Sequence, residues 1–452
     1  MADGLHIAEG ERPRAVVVAV QLPGVTDDEL ASSIAELERL ATTLGLEPVG
    51  RVIQRRGKLA PGVVLGEGKL VELGAWTGGT GVVPGYVKPG RGKPDAPDAD
   101  DEPATATPTA RASIVLVDHD LTPTQHLNLE RATGVDVLDR TSVIVEIFHR
   151  HAHTREAKLQ VELARLRYLA PRLRATSSGG DRVRGGIGGK GAGESALELD
   201  RRRIRDRIAE LRAELDRIEG GARTRRERRS ELPTVALVGY TNAGKSSLMR
   251  ALTGTTVYVA DKLFATLDTT VRRLVPPTDP PILVSDTVGF IKKLPHDLVA
   301  SFRSTLDAAA GADLLLHVVD AADPAHADQI AVTREVLGEI GADRIDSVLL
   351  LNKIDRVDAA GRAALAARYP GAIQLSARSP ADIAALRDLL VERFAGALEQ
   401  AELAVPWTCQ RALHAIHERA TVLAEAHDEA GTTLTIRAPA RVIAELRALV
   451  TG

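Results

Sequence analysis

The chain has 452 residues, 44% of them hydrophobic and 26% charged, with a formal net charge of −3. That length exceeds what one core usually supports, so about two to four packed domains are expected, and the composition is that of an ordinary soluble protein. A single cysteine, Cys409, excludes an internal disulfide and fits a reducing compartment.

The opening residues Met1–His6 lack a basic region followed by an apolar run, so no signal peptide is read. No uncharged apolar stretch approaches ~18 residues, which argues against a membrane span. The expected location is the cytosol.

In chain order, Arg14–Val20 is the first apolar run and reads as a buried strand. Thr26-Asp27-Asp28-Glu29 is a capping box that opens a helix to about Leu44. Strands are predicted over Pro48–Gln54, Ile114–Asp118 and Val135–Leu138, with a helix over Thr122–Ala132, so residues 1–140 read as a small α/β domain. Gly, Pro, Asp and Thr dominate residues 78–111, which predicts a disordered insertion. His149, His151 and His153 alternate beside arginines without cysteine partners, a pattern that fits a solvated turn better than a metal site.

Residues 141–230 are the basic part of the chain. Arg150–Ser230 holds 22 Lys+Arg against 12 Asp+Glu, an excess of +10 that leaves −13 for the remainder. Concentrated cationic charge on a nearly neutral chain suggests a polyanion met by one region. Leu159, Leu163, Leu166, Ala170 and Leu173 recur at helical spacing, as do Leu197, Ile204, Ile208, Leu211, Leu215 and Ile218. Two such stripes predict an antiparallel helical hairpin. Its connection, 174–195, has eight glycines within the fifteen residues Gly179–Gly193, together with Arg182, Arg184 and Lys190. That makes a mobile cationic tip suited to RNA; a plain flexible linker has the same composition. Gly186–Gly191 satisfies G-x-G-x-x-G, but no strand precedes it, so the dinucleotide reading is rejected.

The strongest motif follows. Gly239-Tyr240-Thr241-Asn242-Ala243-Gly244-Lys245-Ser246 fits G-x-x-x-x-G-K-[ST], between the strand-like Val235–Val238 and the helix-like Ser247–Leu252. Backbone N–H groups of such a loop surround a polyphosphate, Lys245 meets the β/γ-phosphates, and the Ser246 hydroxyl can ligate Mg²⁺. Asp286-Thr287-Val288-Gly289 fits D-x-x-G, where Asp286 holds the cation through water and the Gly289 N–H meets the γ-phosphate. In Phe264-Ala265-Thr266-Leu267-Asp268-Thr269-Thr270, three threonines compete on chemistry alone for a second cation contact.

Asn352-Lys353-Ile354-Asp355 and then Ser376-Ala377-Arg378, each after an apolar strand, point to guanine. A carboxylate at Asp355 can accept from guanine N1–H and its 2-amino group, whereas adenine would leave it unpaired. Phe290 stands where many GTPases carry a water-orienting glutamine, so slow intrinsic hydrolysis is expected. Residues 231–398 thus read as the nucleotide domain. The segment 400–452 reads as a small α+β domain with a helix over Gln410–Ala426, a strand over Thr432–Arg437 and a helix over Ala440–Val450.

Taken together, Thr154–Ala164, Arg167-Tyr168-Leu169, Pro171-Arg172-Leu173, Gly193-Glu194-Ser195 with Asp200–Ile204, Leu263–Asp268 and Gly66-x-Gly68-Lys69 resemble the HflX-type GTPases, of the translation-factor-related class, over nearly the whole chain. The resemblance implies a multidomain α/β fold: an N-terminal α/β domain, a long antiparallel hairpin with a Gly-rich tip, a Ras-like P-loop GTPase domain and a small C-terminal domain. It further implies a monomer that binds the large (50S) ribosomal subunit and its rRNA through the basic arm and splits stalled ribosomes. Turnover would rise on the ribosome, and Thr266 would contact Mg²⁺.

Ala157 and the tip sequence Gly188–Glu198 depart from the family pattern, which bears on ribosome engagement rather than on GTP binding. An RNA-modification or ribosome-assembly GTPase, and a nucleotide-gated RNA-binding module, are the competing classes. No cysteine stands near a methyl-transfer motif, which weighs against modification.

Overall fold

The computed structural model describes residues 12–83, 110–176, 196–229, 232–254, 263–264, 270–292, 303–396 and 398–451. The chain divides into two compact units. One comprises Met1–Arg217 with Asp261–Leu267 and Lys292–Arg303; the other comprises Ile218–Ala260, Asp268–Ile291 and Ser304–Gly452.

In the first unit, β1 (Arg14–Gln21), β2 (Glu47–Arg55), β3 (Ile114–Val117) and β4 (Asp136–Asp139) form a parallel sheet of order β2-β1-β3-β4. From Ala15 to Val20 no residue exposes more than 2% of its surface, because a parallel strand covered on both faces has no polar alternation. The capping box at Thr26 is formed: its backbone N–H donates to Glu29 Oε2 at 2.8 Å and Glu29 N–H donates back to Thr26 Oγ1 at 3.2 Å. It starts α1 (Asp27–Thr43). The helices α2 (Glu67–Thr77), α3 (Pro123–Thr133) and α4 (Arg140–His151) follow.

Arg140 is 1% exposed, and its guanidinium spans a buried pair of carboxylates. It donates to Asp118 at 2.8 Å and to Glu36, while Ser33 Oγ donates to the second Asp118 oxygen at 2.7 Å. A buried charge persists only when paired in this way. Arg140 Nε also donates to the Lys292 carbonyl at 3.3 Å, and Leu263 N–H donates to Thr43 Oγ1 at 3.2 Å. The Phe264 ring meets Phe148 edge-on, centroids 4.6 Å apart.

Two expectations change here. Residues 78–83, assigned by composition to the disordered insertion, are packed. Gly81 N–H donates to Ala132 O at 2.9 Å, Arg111 Nε donates to Thr77 O at 2.7 Å, and Val83 is 7% exposed. Glycine there serves close packing rather than chain freedom. The central part of that insertion, 84–109, lies outside the described residues. His149 and His151 end α4 rather than forming a turn, at the pole of the helix where cations are favoured.

The hairpin helices are α5 (Arg155–Thr176) and α6 (Ala196–Arg229). Arg155 pairs with Glu214, and Arg207 with Glu162 at 2.8 Å, so position rises on one helix as it falls on the other. This is the antiparallel arrangement the two stripes require. Leu159, Leu163, Leu211 and Leu215 are buried, whereas Ile204 and Ile208 are half-buried. The seam is therefore closed at its base and opens toward the tip. The glycine-rich segment with Arg182, Arg184 and Lys190 lies outside the described residues, as does the rejected G-x-G-x-x-G.

In the second unit, β5 (Thr234–Val238), β6 (Thr270–Arg273), β7 (Leu283–Asp286), β8 (Leu314–Asp320), β9 (Ser347–Asn352) and β10 (Ile373–Gln374) form a sheet of order β10-β9-β8-β5-β7-β6. Only β6, beside β7, is antiparallel within it. A smaller antiparallel sheet, β11 (Leu398–Pro406), β13 (Gly431–Pro439) and β12 (Thr421–His427), packs with the helices Gln410–Arg419 and Ala440–Thr451.

The expected helix over Gln410–Ala426 is thus wrong beyond Arg419. Ala420 turns extended at ψ 150°, and Thr421–His427 pairs with β13 from Thr421↔Arg437 to His427↔Thr432. A ladder available only in three dimensions overrides a helix-compatible sequence. The strand β11 was not anticipated; it buries Ala401, Leu403 and Val405 on one face, but its Ala and Glu content reads as helix.

Candidate nucleotide-binding site

The phosphate loop leaves the carboxyl end of β5 and enters the helix Lys245–Thr253, with Gly244 at φ +97° as its cap. Gly239 has φ +144°, and a Cβ there would lie 2.1 Å from the Val318 carbonyl, so glycine is the residue this corner admits. At the loop's centre Lys245 Nζ donates to the carbonyls of Gly239, at 3.0 Å, and Tyr240, at 2.8 Å. Burial lowers its pKa to about 8, and the Asp286 carboxylate pulls in the other direction. Ser246 Oγ donates to Asp286 Oδ2 at 2.7 Å.

The D-x-x-G segment lies against the loop. Phe290 N–H donates to Gly239 O at 3.1 Å and Thr241 N–H donates to Phe290 O at 2.8 Å, a parallel bridge between Tyr240 and Phe290. Thr287, fully buried, ties the segment to β5 by donating from Oγ1 to Leu237 O at 2.7 Å. A Cβ on Gly289 would sit 2.8 Å from Thr241 Cα and 3.0 Å from Lys245 Nζ. Phe290 is 1% exposed, and Val288 is buried beside it.

The third part is built around Asn352. Its amide donates from Nδ2 to Ala243 O at 2.8 Å, and its Oδ1 accepts from Ala377 N–H at 3.0 Å, so one side chain links the phosphate loop to the Ser376-Ala377 turn. Lys353 donates to Asn242 O at 2.8 Å and to Asp320 Oδ2 at 2.7 Å. Ile354 N–H donates to Leu375 O at 3.3 Å. Asp355 is exposed, its pKa held below the usual carboxylate value chiefly by a hydrogen bond from Ser376. Arg378 N–H donates to Ser376 Oγ at 3.2 Å, and Ser376 N–H to Asp382 Oδ2 at 2.7 Å.

Gly239–Ser247, Asp286–Gly289, Asn352–Asp355 and Ser376–Arg378 are therefore one connected set within the second unit. Phe264 packs on Phe148 in the first unit; Ala265, Thr266, Leu267 and Asp268 lie outside the described residues. Sequence reasoning missed Asp320 and Asp382, which hold Lys353 and the Ser376 turn. It also missed His317, buried on β8, its pKa lowered to about 4 by burial first and then by Arg334 and Lys245. The apolar run Leu314–Val319 ending in Asp320 was the available signal.

Three family models cover most of the chain: a "GTP-binding GTPase N-terminal" region at 31–82 and 101–149, a "GTP-binding GTPase Middle Region" at 151–229, and a "50S ribosome-binding GTPase" at 234–353. A GTPase HflX of Gluconacetobacter diazotrophicus is 55% identical over 448 residues, covering 96% of this chain and 97% of that protein. The chain belongs to the HflX family of GTPases.

The HflX GTPase of Escherichia coli K12 is 40% identical over 390 residues, 84% of this chain and 83% of its own. A GTP-binding protein from Sulfolobus solfataricus, solved with GDP, aligns at 22% identity and a TM-score of 0.42 over 84% of this chain and 99% of its own. As an HflX-family member the chain is a GTP-binding GTP hydrolase with a multidomain α/β fold. Among the described residues no helix is long and apolar enough to cross a membrane.

Proposed function

We propose that this HflX-family GTPase binds the large ribosomal subunit through its basic helical arm and uses the GTP cycle to split or rescue stalled ribosomes in the cytoplasm. The observation that carries the reading is a phosphate loop bridged through Asn352 to the Ser376-Ala377 turn, on the same chain as a hairpin segment with a charge excess of +10 between Arg150 and Ser230. The match to a model described as a 50S ribosome-binding GTPase supports the same partner. The proposed working segments are 1–140, the arm 141–230, the nucleotide domain 231–398 and the C-terminal domain 400–452.

At the site, Lys245 turns from its two loop carbonyls to the β- and γ-phosphate oxygens, whose negative charge further favours its ammonium form. The Gly289 N–H binds the γ-phosphate, Asp355 accepts from guanine, and the Ser376-Ala377 turn contacts the base oxygen. The hydroxyl of Ser246 and the carboxylate of Asp286, 2.7 Å apart, are hard oxygen donors that fit Mg²⁺. Ser246 and Thr266 would hold that ion directly and Asp286 through water; when bound it neutralises charge on the phosphates. Phe290 offers no hydrogen bond to water, so hydrolysis by the free protein is slow and the ribosome raises it.

The test is GTP turnover with and without 50S subunits, alongside co-sedimentation with a non-hydrolysable GTP analogue, GDP or no nucleotide. Stimulated turnover and analogue-dependent co-sedimentation are expected. An unchanged rate with no co-sedimentation overturns the reading in favour of incidental hydrolysis. Turnover of the isolated protein near ~10 s⁻¹ would remove the role assigned to Phe290.

A further inference from the structure

Phe290 leaves the site without the side chain that orients water in many GTPases, and its backbone is bonded to a threonine of the phosphate loop. Thr241 occupies the third position of the phosphate loop, and its backbone N–H is bonded to the Phe290 carbonyl at 2.8 Å. The residue is 6% exposed, and among the described residues its Oγ1 is buried without a hydrogen-bond partner. Buried hydroxyls are normally satisfied, so an orphan one in a ligand loop points to a partner that arrives with the ligand. The position narrows which part of the ligand that is. A Cβ on Gly289 would lie 2.9 Å from Thr241 Cγ2 and 3.0 Å from Lys245 Nζ. Thr241 thus adjoins the two groups that address the γ-phosphate end.

We propose that the Thr241 hydroxyl is a positioning group for hydrolysis: it donates a hydrogen bond to a γ-phosphoryl oxygen and holds that group in line with the attacking water. The hydroxyl neither gains nor loses a proton. Water oxygen bonds to the γ-phosphorus, the bond to the β–γ bridging oxygen breaks, GDP leaves with that electron pair, and the water proton ends on inorganic phosphate. Lys245 Nζ bonds the loop carbonyls and Gly289 lies close against Thr241. A γ-phosphoryl oxygen met by Lys245 and Gly289 is the acceptor assigned to the Thr241 hydroxyl. The assignment rests on GTP hydrolysis itself and not on the ribosomal partner.

The experiment compares the full-length wild type with Thr241→Val and Thr241→Ser. It measures single-turnover GTP hydrolysis, GDP affinity and the thermal midpoint without nucleotide. Removal of one positioned donor is worth about 10²-fold in comparable sites. Thr241→Val is expected to slow the chemical step about 10- to 100-fold. GDP affinity should stay within about twofold, because GDP lacks the γ-phosphate. The thermal midpoint should hold or rise, because a buried unpartnered hydroxyl is removed. Thr241→Ser should restore most of the rate.

A Thr241→Val rate within about threefold of wild type overturns the proposal. So does a parallel loss of GDP affinity and thermal midpoint, which would make the hydroxyl structural. Either result leaves wild-type turnover, and the family's GTPase activity, untouched.

Discussion

At the residue scale, two side chains separate recognition from stability. Asp355 is exposed, and a hydrogen bond from Ser376 lowers its pKa, which favours the acceptor form that its proposed role toward the base requires. Asp355→Asn should weaken GTP binding by about 10²-fold or more, since one acceptor becomes a donor facing guanine's own donors. The same change should improve binding of xanthosine triphosphate, whose C2 oxygen accepts. Equal affinities of wild type and variant for both nucleotides, by fluorescence titration, would contradict the assignment.

His317 sets a pH limit instead. Its folded pKa of about 4 lies below the ordinary histidine value of 6.5, so between those values the unfolded chain binds the extra proton. Stability is unaffected above pH 6.5 and falls as pH drops from 6.5 toward 4. Urea midpoints of the nucleotide-free protein across that window should show the decline, and His317→Asn should flatten it. An unchanged slope in the variant would place the acid sensitivity elsewhere.

At the element scale, the hairpin shows which contacts matter. Arg155 is paired with Glu214 and Arg207 with Glu162, but both arginines are largely exposed, and such pairs are worth about 0–1 kcal/mol. Leu211 is 0% exposed, and truncating a leucine of that kind costs about 2–5 kcal/mol. Leu211→Ala should therefore lower the denaturation midpoint far more than the double change Arg155→Ala with Arg207→Ala. The reverse ranking in chemical denaturation would mean that charge, not packing, joins α5 and α6.

Both helices were legible because a 3–4 spacing of leucines has one structural meaning at that length. Strands β1 to β5 and the phosphate loop were legible for a similar reason, being apolar runs bounded by punctuation such as Thr26 or Gly239. Thr421–His427 was not, because its strand conformation comes from pairing with Gly431–Pro439, and nothing in Ala-Glu-Ala-His announces a ladder. Leu398–Pro406 hid in the same way, sitting on the far side of the same central strand.

At the scale of the whole molecule, the proposed division of labour predicts separable losses. Replacing Arg182, Arg184 and Lys190 with alanine should weaken 50S binding while leaving GTP affinity intact. If those three meet RNA phosphates, the slope of log affinity against log salt should fall by about 2–3. Sedimentation across a salt series checks this, and a loss of nucleotide affinity in the same variant would make the tip structural.

The sequence alone determined the nucleotide chemistry, because phosphate and guanine recognition depend on backbone amides and a few side chains at fixed spacing, and motifs record spacing directly. It likewise determined the charge excess of the arm. Only the tertiary structure decided which groups complete those motifs: Asn352 bridging Ala243 and Ala377, Asp382 holding Ser376, and the Thr241 hydroxyl buried without a partner among the described residues. These are contacts between residues six to more than a hundred positions apart, or questions of what burial leaves unsatisfied, and neither spatial proximity nor burial is written in local sequence.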